Sequence, residues 1–160
     1  MWFGSLMQLV YFVAVVLCFG LAAASDLRDR RIPNAIPAAL IALYPGLFAL
    51  GLGPDPWWGG FVAGAAVFVV GAGLFAARIM GGGDVKLLTA VALWAGPAWI
   101  FEGLVVTAIL GGVAAGAALL RPVLLTPVLG PQPGARETTL PYGVAVAGGG
   151  LWVLVRVFAL

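Results

Sequence analysis

Two aspartates, Asp26 and Asp84, have the clearest potential for catalysis in this chain. Each lies where an apolar stretch meets a short polar segment, in a sequence of 160 residues with 6 acidic residues and no histidine. Two carboxylates held close together cannot both ionise easily, so one keeps a proton while the other acts as a base. Such a pair can activate water to attack a peptide carbonyl, and it titrates as a unit.

Glycines and a lysine surround Asp84. Gly81, Gly82 and Gly83 have no β-carbon, so an extended peptide backbone could approach the carboxylate closely. Lys86 has two open interpretations: a cation that snorkels at a helix start, or a charge that orients the aspartate pair. The segment from Gly81 to Lys86 is therefore a candidate part of an active site.

Both aspartates also have purely structural interpretations. Asp26 and Arg30 have the i, i+4 spacing of a helical ion pair, and Asp84 before an apolar run resembles an ordinary N-cap. A lone Cys18 and the absence of histidine exclude a zinc site built from these residues and an intrachain disulfide. We therefore expect no metal and no cofactor.

Membrane-spanning helices must position these side chains. Hydrophobic residues make up 63% of the chain and charged residues 9%, and the mean hydropathy is +1.13. At roughly 20 apolar residues per bilayer crossing, the length allows about six helices. The sequence predicts an all-α, polytopic membrane helix bundle, with residues 1–160 forming a single domain. A net charge of +2 is too small to indicate a nucleic-acid partner.

The composition predicts six spans, over residues 2–24, 35–52, 57–77, 85–101, 103–120 and 142–160. Asn34 is expected to cap the second span, and Gly96-Pro97 to break the fourth near its end. Glu102 is expected to be a solvated cap at the turn that follows. Residues 121–141 contain five of the eleven prolines and are expected to form a loop rather than a helix.

The basic residues predict the orientation. If the spans alternate, every cation except Arg156 lies on one side, which the positive-inside rule makes the cytoplasm. Both termini then lie on the outer side, and Asp26 and Asp84 lie at the cytoplasmic face. The two aspartates would meet if the first and fourth spans pack side by side. Arg28, Arg30 and Arg31 are expected to set the topology and to meet anionic lipid headgroups.

Three motifs, in order, resemble those of the type IV prepilin peptidases, a family of intramembrane aspartic proteases. Residues 26–34 read Asp-Leu-Arg-Asp-Arg-Arg-Ile-Pro-Asn and resemble that family's first-aspartate motif. Residues 81–88 fit its Gly-x-Gly-Asp signature with the following lysine, and residues 140–145 resemble its Pro-Tyr/Phe-Gly entry to the last helix. The resemblance extends over about residues 20–150.

The resemblance implies a function and a set of site residues. Asp26 and Asp84 match the two catalytic positions, and Tyr142 and Gly143 would line the site. The implied reaction is removal of a short basic leader from prepilin or pseudopilin precursors at the cytoplasmic face of the inner membrane. Cleavage in the family usually follows a glycine that precedes the hydrophobic pilin helix.

The chain departs from the larger, bifunctional members of that family. Nothing in it corresponds to their cytoplasmic domain with paired Cys-x-x-Cys motifs, so we expect peptidase activity without N-methylation. The compact form looks most like the peptidases of tight-adherence (Flp-type) pili, although archaeal preflagellin peptidases are built similarly. Monomer and dimer both remain open.

Two alternatives from other functional classes also remain. The first is a catalytically inactive assembly subunit that keeps the fold. The second is a small ion or proton transporter, although such a protein would need acidic groups near the middle of its spans. Presenilin-type proteases share Gly-x-Gly-Asp, but their other aspartate lies in a Tyr-Asp pair, whereas Asp26 follows Ser25.

Overall fold

The chain folds as a bundle of apolar helices. The computed structural model describes the backbone of residues 2–51, 56–129 and 142–159, and the side chains of these residues except 2–5 and 121–129. The helices of this part are α1 (Trp2–Asp29), α2 (Ala35–Leu43), α3 (Gly46–Ala49), α4 (Gly59–Ala76), α5 (Gly82–Leu129) and α6 (Tyr142–Phe158). The predicted all-helical membrane bundle is confirmed.

Three of the described helices are long and apolar enough to cross a membrane. Their candidate spans are residues 6–29, 59–76 and 82–120, and shorter apolar helices cover 35–49 and 142–158. The first predicted span is extended by one turn, so that Asp26 lies inside α1 rather than after it. The second predicted span is interrupted after Leu43, because Pro45 has no N–H to continue the hydrogen-bond ladder of α2.

Helix α5 folds back on itself at Gly96. This glycine has φ 55° and ψ −170°, a backbone conformation that a side chain would strain, and Pro97 follows it in the first turn of the next helical stretch. The side chain of Val91 lies 3.9 Å from a β-carbon built on Gly103. Since twelve residues of straight helix would cover about 18 Å, residues 82–95 (the first limb) and 97–129 (the second limb) form a hairpin.

The course of α5 corrects two predictions. The turn between the fourth and fifth spans does not lie at Glu102, because the second limb is helical on both sides of that residue. The loop predicted from residue 121 is also wrong up to Leu129, where α5 continues past two prolines. Apolar surroundings tolerate proline in a helix because local backbone adjustments satisfy the freed groups. The remainder of that loop, residues 130–141, lies outside the described residues.

Glycines let α4 approach the first limb of α5. The buried residues of α4 are Gly59, Gly60, Gly64 and Gly71. A β-carbon on Gly60 would lie 2.5 Å from the carbonyl oxygen of Leu93, and one on Gly71 would lie 2.7 Å from the side chain of Val85. Close backbone approach is a common way to pack helices in lipid, where no hydrophobic effect drives them together.

Helix α1 packs antiparallel to α6 through one narrow stripe. The buried α1 residues recur every three or four positions, at Val15, Phe19, Ala22 and Asp26. Phe19 contacts Gly150 midway along the pair, and Asp26 contacts Gly143 at its end. The stripe that anchors α1 therefore also carries Asp26 into the protein interior.

Glu102 and Arg156 join the second limb to α6 at the opposite end of the bundle. Arg156 Nε lies 3.2 Å from Glu102 Oε2, and Trp152 Nε1 donates a hydrogen bond of 3.3 Å to the same oxygen. The Arg156 guanidinium also stacks over Trp99, 4.3 Å from the ring centre. The prediction that Glu102 caps a helix is wrong, because it lies inside the second limb, where its 39% exposed side chain pairs with this cation.

Candidate active site

Asp26 and Asp84 lie close together at one end of the bundle. Asp26 is in the last turn of α1 and is 6% exposed, and its Oδ2 has no hydrogen-bond partner among the described residues. Asp84 is half-buried in the first turn of α5, where its carboxylate lies within range of electrostatic repulsion from that of Asp26. Two carboxylates that repel each other do not ionise independently, and a protonated carboxyl beside an ionised one is the arrangement that acid–base hydrolysis uses.

The helices that carry the two aspartates do not meet as expected. Helix α1 packs mainly on α6 and α2, whereas α5 packs on α4, α6 and α2. The first and fourth spans therefore form no extensive helix–helix interface, although Tyr11 of α1 and Trp94 of the first limb meet with their ring centres 6.1 Å apart. At the end that carries the aspartates, the α1–α2 linker, residues 30–34, and the first turn of α6 pack between α1 and α5.

Ile32 is the apolar contact between these elements. Its side chain is 9% exposed. The Cβ of Ile32 lies 3.3 Å from a β-carbon built on Gly83, and its Cδ1 lies 2.7 Å from one built on Gly143. Ile32 thus packs between the start of α5 and the start of α6, where each helix presents a glycine.

Gly143 brings α6 onto the catalytic candidate Asp26. A β-carbon on Gly143 would lie 2.9 Å from both Cγ and Oδ2 of Asp26. The neighbouring Tyr142 is half-buried, and its Cε2 lies 2.9 Å from a β-carbon built on Gly111 of the second limb. Of the two residues expected to line the site, Gly143 contacts Asp26, and Tyr142 packs against α5.

The glycines before Asp84 also have defined neighbours. A β-carbon on Gly81 would lie 2.9 Å from Asp84 Oδ2, whereas Gly83 makes room for Ile32. A side chain at position 81 or 83 would crowd these neighbours, so packing within the protein is a sufficient reason for glycine at both positions. Their proposed role in admitting a peptide backbone stays a prediction.

Lys86 points to the linker. Its Nζ donates a hydrogen bond of 2.9 Å to Oδ1 of Asn34, which lies 52 positions earlier in the chain. Asn34 precedes α2 but makes no side-chain capping bond, so its predicted role as a cap is wrong. Its amide oxygen is used by Lys86 instead.

The structural interpretations of the two aspartates do not hold. Arg30 has φ 53°, so it lies outside the regular geometry of α1. Among the described residues, Oδ2 of Asp26 has no hydrogen-bond partner and is therefore not paired with Arg30. Ser25 Oγ donates a hydrogen bond of 2.7 Å to the carbonyl oxygen of Arg31, which stabilises the turn. Asp84 lies inside α5 rather than at its N-cap, since the helix begins at Gly82.

Two open clefts lie beside the linker and beside the turn before α5. One, of about 710 Å³, is lined by Ser25, Asp29, Arg31, Ile32, Pro33 and Asn34. The other, of about 600 Å³, is lined by Phe75, Ala76, Arg78, Ile79, Met80 and Gly81. The described residues bring no three acidic or cysteine side chains together as a metal site would require.

Sequence reasoning missed the roles of Ile32 and Asn34. Both belong to the motif that follows Asp26, yet neither has a charge or a nucleophile that would mark it as a site residue. The proline between them indicates only that the chain leaves helical geometry here. Their partners lie in α5 and α6, so local spacing carries no signal for these contacts.

Comparison with known families gives one match. A family model described as the type IV leader peptidase family matches residues 11–116. The matched range contains both aspartates, the α1–α2 linker and Lys86, and it ends before Tyr142 and Gly143. Comparisons with curated proteins and with solved structures gave no match.

Proposed function

Because the chain belongs to the type IV leader peptidase family, we propose that it removes the basic leader peptide from prepilin-like precursors. Membership in the family implies an aspartic leader peptidase, and the apolar helices together with the family support an inner-membrane location. Specificity for prepilins or pseudopilins of tight-adherence pili stays a prediction. The site residues and the mechanism below are likewise part of the proposal.

The observation that carries the proposed mechanism is the buried, unpartnered Oδ2 of Asp26 within electrostatic range of Asp84. One carboxyl group keeps its proton and donates it to the oxygen of the scissile carbonyl. The other takes a proton from water, which attacks the carbonyl carbon. Breakdown of the tetrahedral intermediate breaks the C–N bond, and the leaving nitrogen takes up a proton.

The surroundings of the pair support a peptide substrate. The cleft beside Asp84 contains the exposed apolar residues Phe75 and Ile79, which suit the hydrophobic part of a precursor. The substrate must be unwound near the cut, because the carbonyl of a helix is already hydrogen-bonded. A glycine before the cut would make unwinding easier.

We further propose that this end of the bundle faces the cytoplasm. Arg28, Arg30, Arg31, Arg78 and Lys86 are exposed near the two aspartates, as the positive-inside rule predicts for a cytoplasmic face. Only residues 30–34 connect α1 to α2, so a methyltransferase domain has no place in this connection. The proposal therefore assigns leader cleavage, without N-methylation, to this chain.

Cleavage of a co-expressed prepilin tests the proposed function. Asp26→Asn and Asp84→Asn nearly preserve shape but remove acid–base capacity. We expect leader removal, seen as a gel shift, by the wild type and not by either variant at equal membrane levels. Glu102→Gln is the matched control, since it makes the same acid-to-amide change far from the pair.

Two results would overturn the proposal. If either aspartate variant still cleaves, the two-aspartate mechanism is wrong. If the wild type fails on several prepilins that have glycine before the cut, an inactive assembly subunit or an ion transporter becomes the better explanation.

A further inference from the structure

A hydrogen bond ties the α1–α2 linker to α5 beside the two aspartates. Lys86 Nζ donates to Asn34 Oδ1 over 2.9 Å, across 52 positions of sequence. Lys86 lies two residues after Asp84, and Asn34 lies two residues after the buried Ile32. The contact therefore joins the segment that carries one aspartate to the segment that follows the other.

Asp26 depends on its surroundings for its position. Its Oδ2 has no hydrogen-bond partner in the described chain, so no donor to that oxygen fixes the carboxyl group. The linker after α1 is held to that helix by the Ser25–Arg31 hydrogen bond, and to α5 and α6 by Ile32 packed against Gly83 and Gly143. Among the described residues, the Lys86–Asn34 bond is the side-chain hydrogen bond that joins this linker to α5.

We propose that Lys86 is a positioning residue, which acts through Asn34 to hold Asp26 against Asp84. Its effect on cleavage rests on the proposed function, whereas its effect on the position of Asp26 does not. A proton-sharing pair must be placed within a fraction of an ångström, and a displacement of about 1 Å can cost a hundredfold in rate. Lys86 and Asn34 are both exposed, so the proposed effect of their bond is on the position of the linker and, through it, on the rate.

A direct electrostatic effect of Lys86 on the aspartates makes a different prediction. If the ammonium charge itself were needed, Lys86→Met would be inactive and Asn34→Leu would be fully active. If Lys86 acts through Asn34, the two substitutions have the same effect. The double variant then loses no more than either single variant, because all three lack the same bond.

The first experiment measures kcat and KM for a purified prepilin with the full-length protein. We expect Lys86→Met, Asn34→Leu and the double variant to lower kcat by about tenfold to a hundredfold with little change in KM. Lys86→Arg keeps a donor and should restore much of the loss. Arg28→Met is the matched control, because it removes a cation from the same end of the bundle and should leave kcat unchanged.

The second experiment measures the position of Asp26 without activity. Asp26→Cys, in a Cys18→Ser background, is labelled with an impermeant maleimide from the cytoplasmic side. Burial at position 26 should make labelling slow, and Lys86→Met or Asn34→Leu should accelerate it severalfold while Arg28→Met does not.

These outcomes separate the two proposals. If the wild type cleaves no prepilin but labelling accelerates, the proposed function fails and the positioning role stands. If cleavage occurs and Asn34→Leu changes neither kcat nor labelling, the positioning role is overturned. Low membrane levels of one variant do not prevent the test, because Lys86→Met and Asn34→Leu break the same bond from opposite partners.

Discussion

The carboxyl group of Asp26 rests directly on Gly143. A β-carbon at position 143 would lie 2.9 Å from Asp26 Oδ2 and 2.7 Å from Cδ1 of Ile32, so the first turn of α6 leaves no room for a methyl group. Gly143, in the motif at the entry to the last helix, thus contacts the aspartate at the end of the first helix. This contact makes Gly143 a sensitive position for testing the site.

Gly143→Ala should reduce prepilin cleavage at least tenfold, because the new methyl group displaces Asp26 or Ile32. Overpacking should also cost about 1–3 kcal/mol in the free energy of unfolding. Steady-state cleavage and thermal unfolding in detergent measure the two effects. Gly112→Ala is the control, since no described atom lies within 4 Å of its added β-carbon. Equal activity of both variants would contradict the contact.

Ile32→Ala should destabilise the protein by about 2–5 kcal/mol, because it leaves a cavity between the starts of α5 and α6. Cleavage should fall as well, since both aspartates adjoin these helix starts. Ile109→Ala removes the same atoms from a side chain that is 59% exposed and should change neither property. A stable, fully active Ile32→Ala protein would show that this packing does not position the pair.

Gly60→Ala should weaken the contact between α4 and the first limb of α5. Its β-carbon would lie 2.5 Å from the Leu93 carbonyl oxygen and would also overlap the Tyr44 hydroxyl. We expect a loss of about 1–3 kcal/mol in thermal unfolding. Gly73→Ala, in the same helix, meets no described atom within 4 Å and should be neutral or slightly stabilising. Similar behaviour of the two variants would argue against the glycine interface.

Disruption of the Glu102–Arg156 pair should affect stability and leave catalysis intact. The two side chains are 39% and 42% exposed, so Glu102→Gln should cost no more than about 1 kcal/mol. Arg156 lies thirteen residues after Gly143, or about 20 Å along α6, which is too far to move Asp26. Unfolding temperature and prepilin cleavage are measured on the same preparation. A large loss of activity in Glu102→Gln would reveal coupling between the two ends of the bundle.

The sequence by itself determined the helical membrane architecture and the two candidate aspartates. An apolar chain in lipid must satisfy its backbone hydrogen bonds internally, so long apolar runs become helices whatever their neighbours are. Counting the two limbs of α5 separately, the described helices follow the order of the six predicted spans, with α2 and α3 together forming the second. The sequence motifs identified Asp26 and Asp84 because each motif consists of a few consecutive residues, which can be recognised without knowing the fold.

Only the tertiary structure decided how these residues meet. The sequence indicated a break at Gly96-Pro97, but the backbone conformation of Gly96 makes that break the reversal itself, which the sequence placed near Glu102. The contacts of Ile32 with Gly83 and Gly143, and the bond from Lys86 to Asn34, join residues far apart in the chain. Periodicity and composition report local preference, whereas these contacts exist only once the helices have packed.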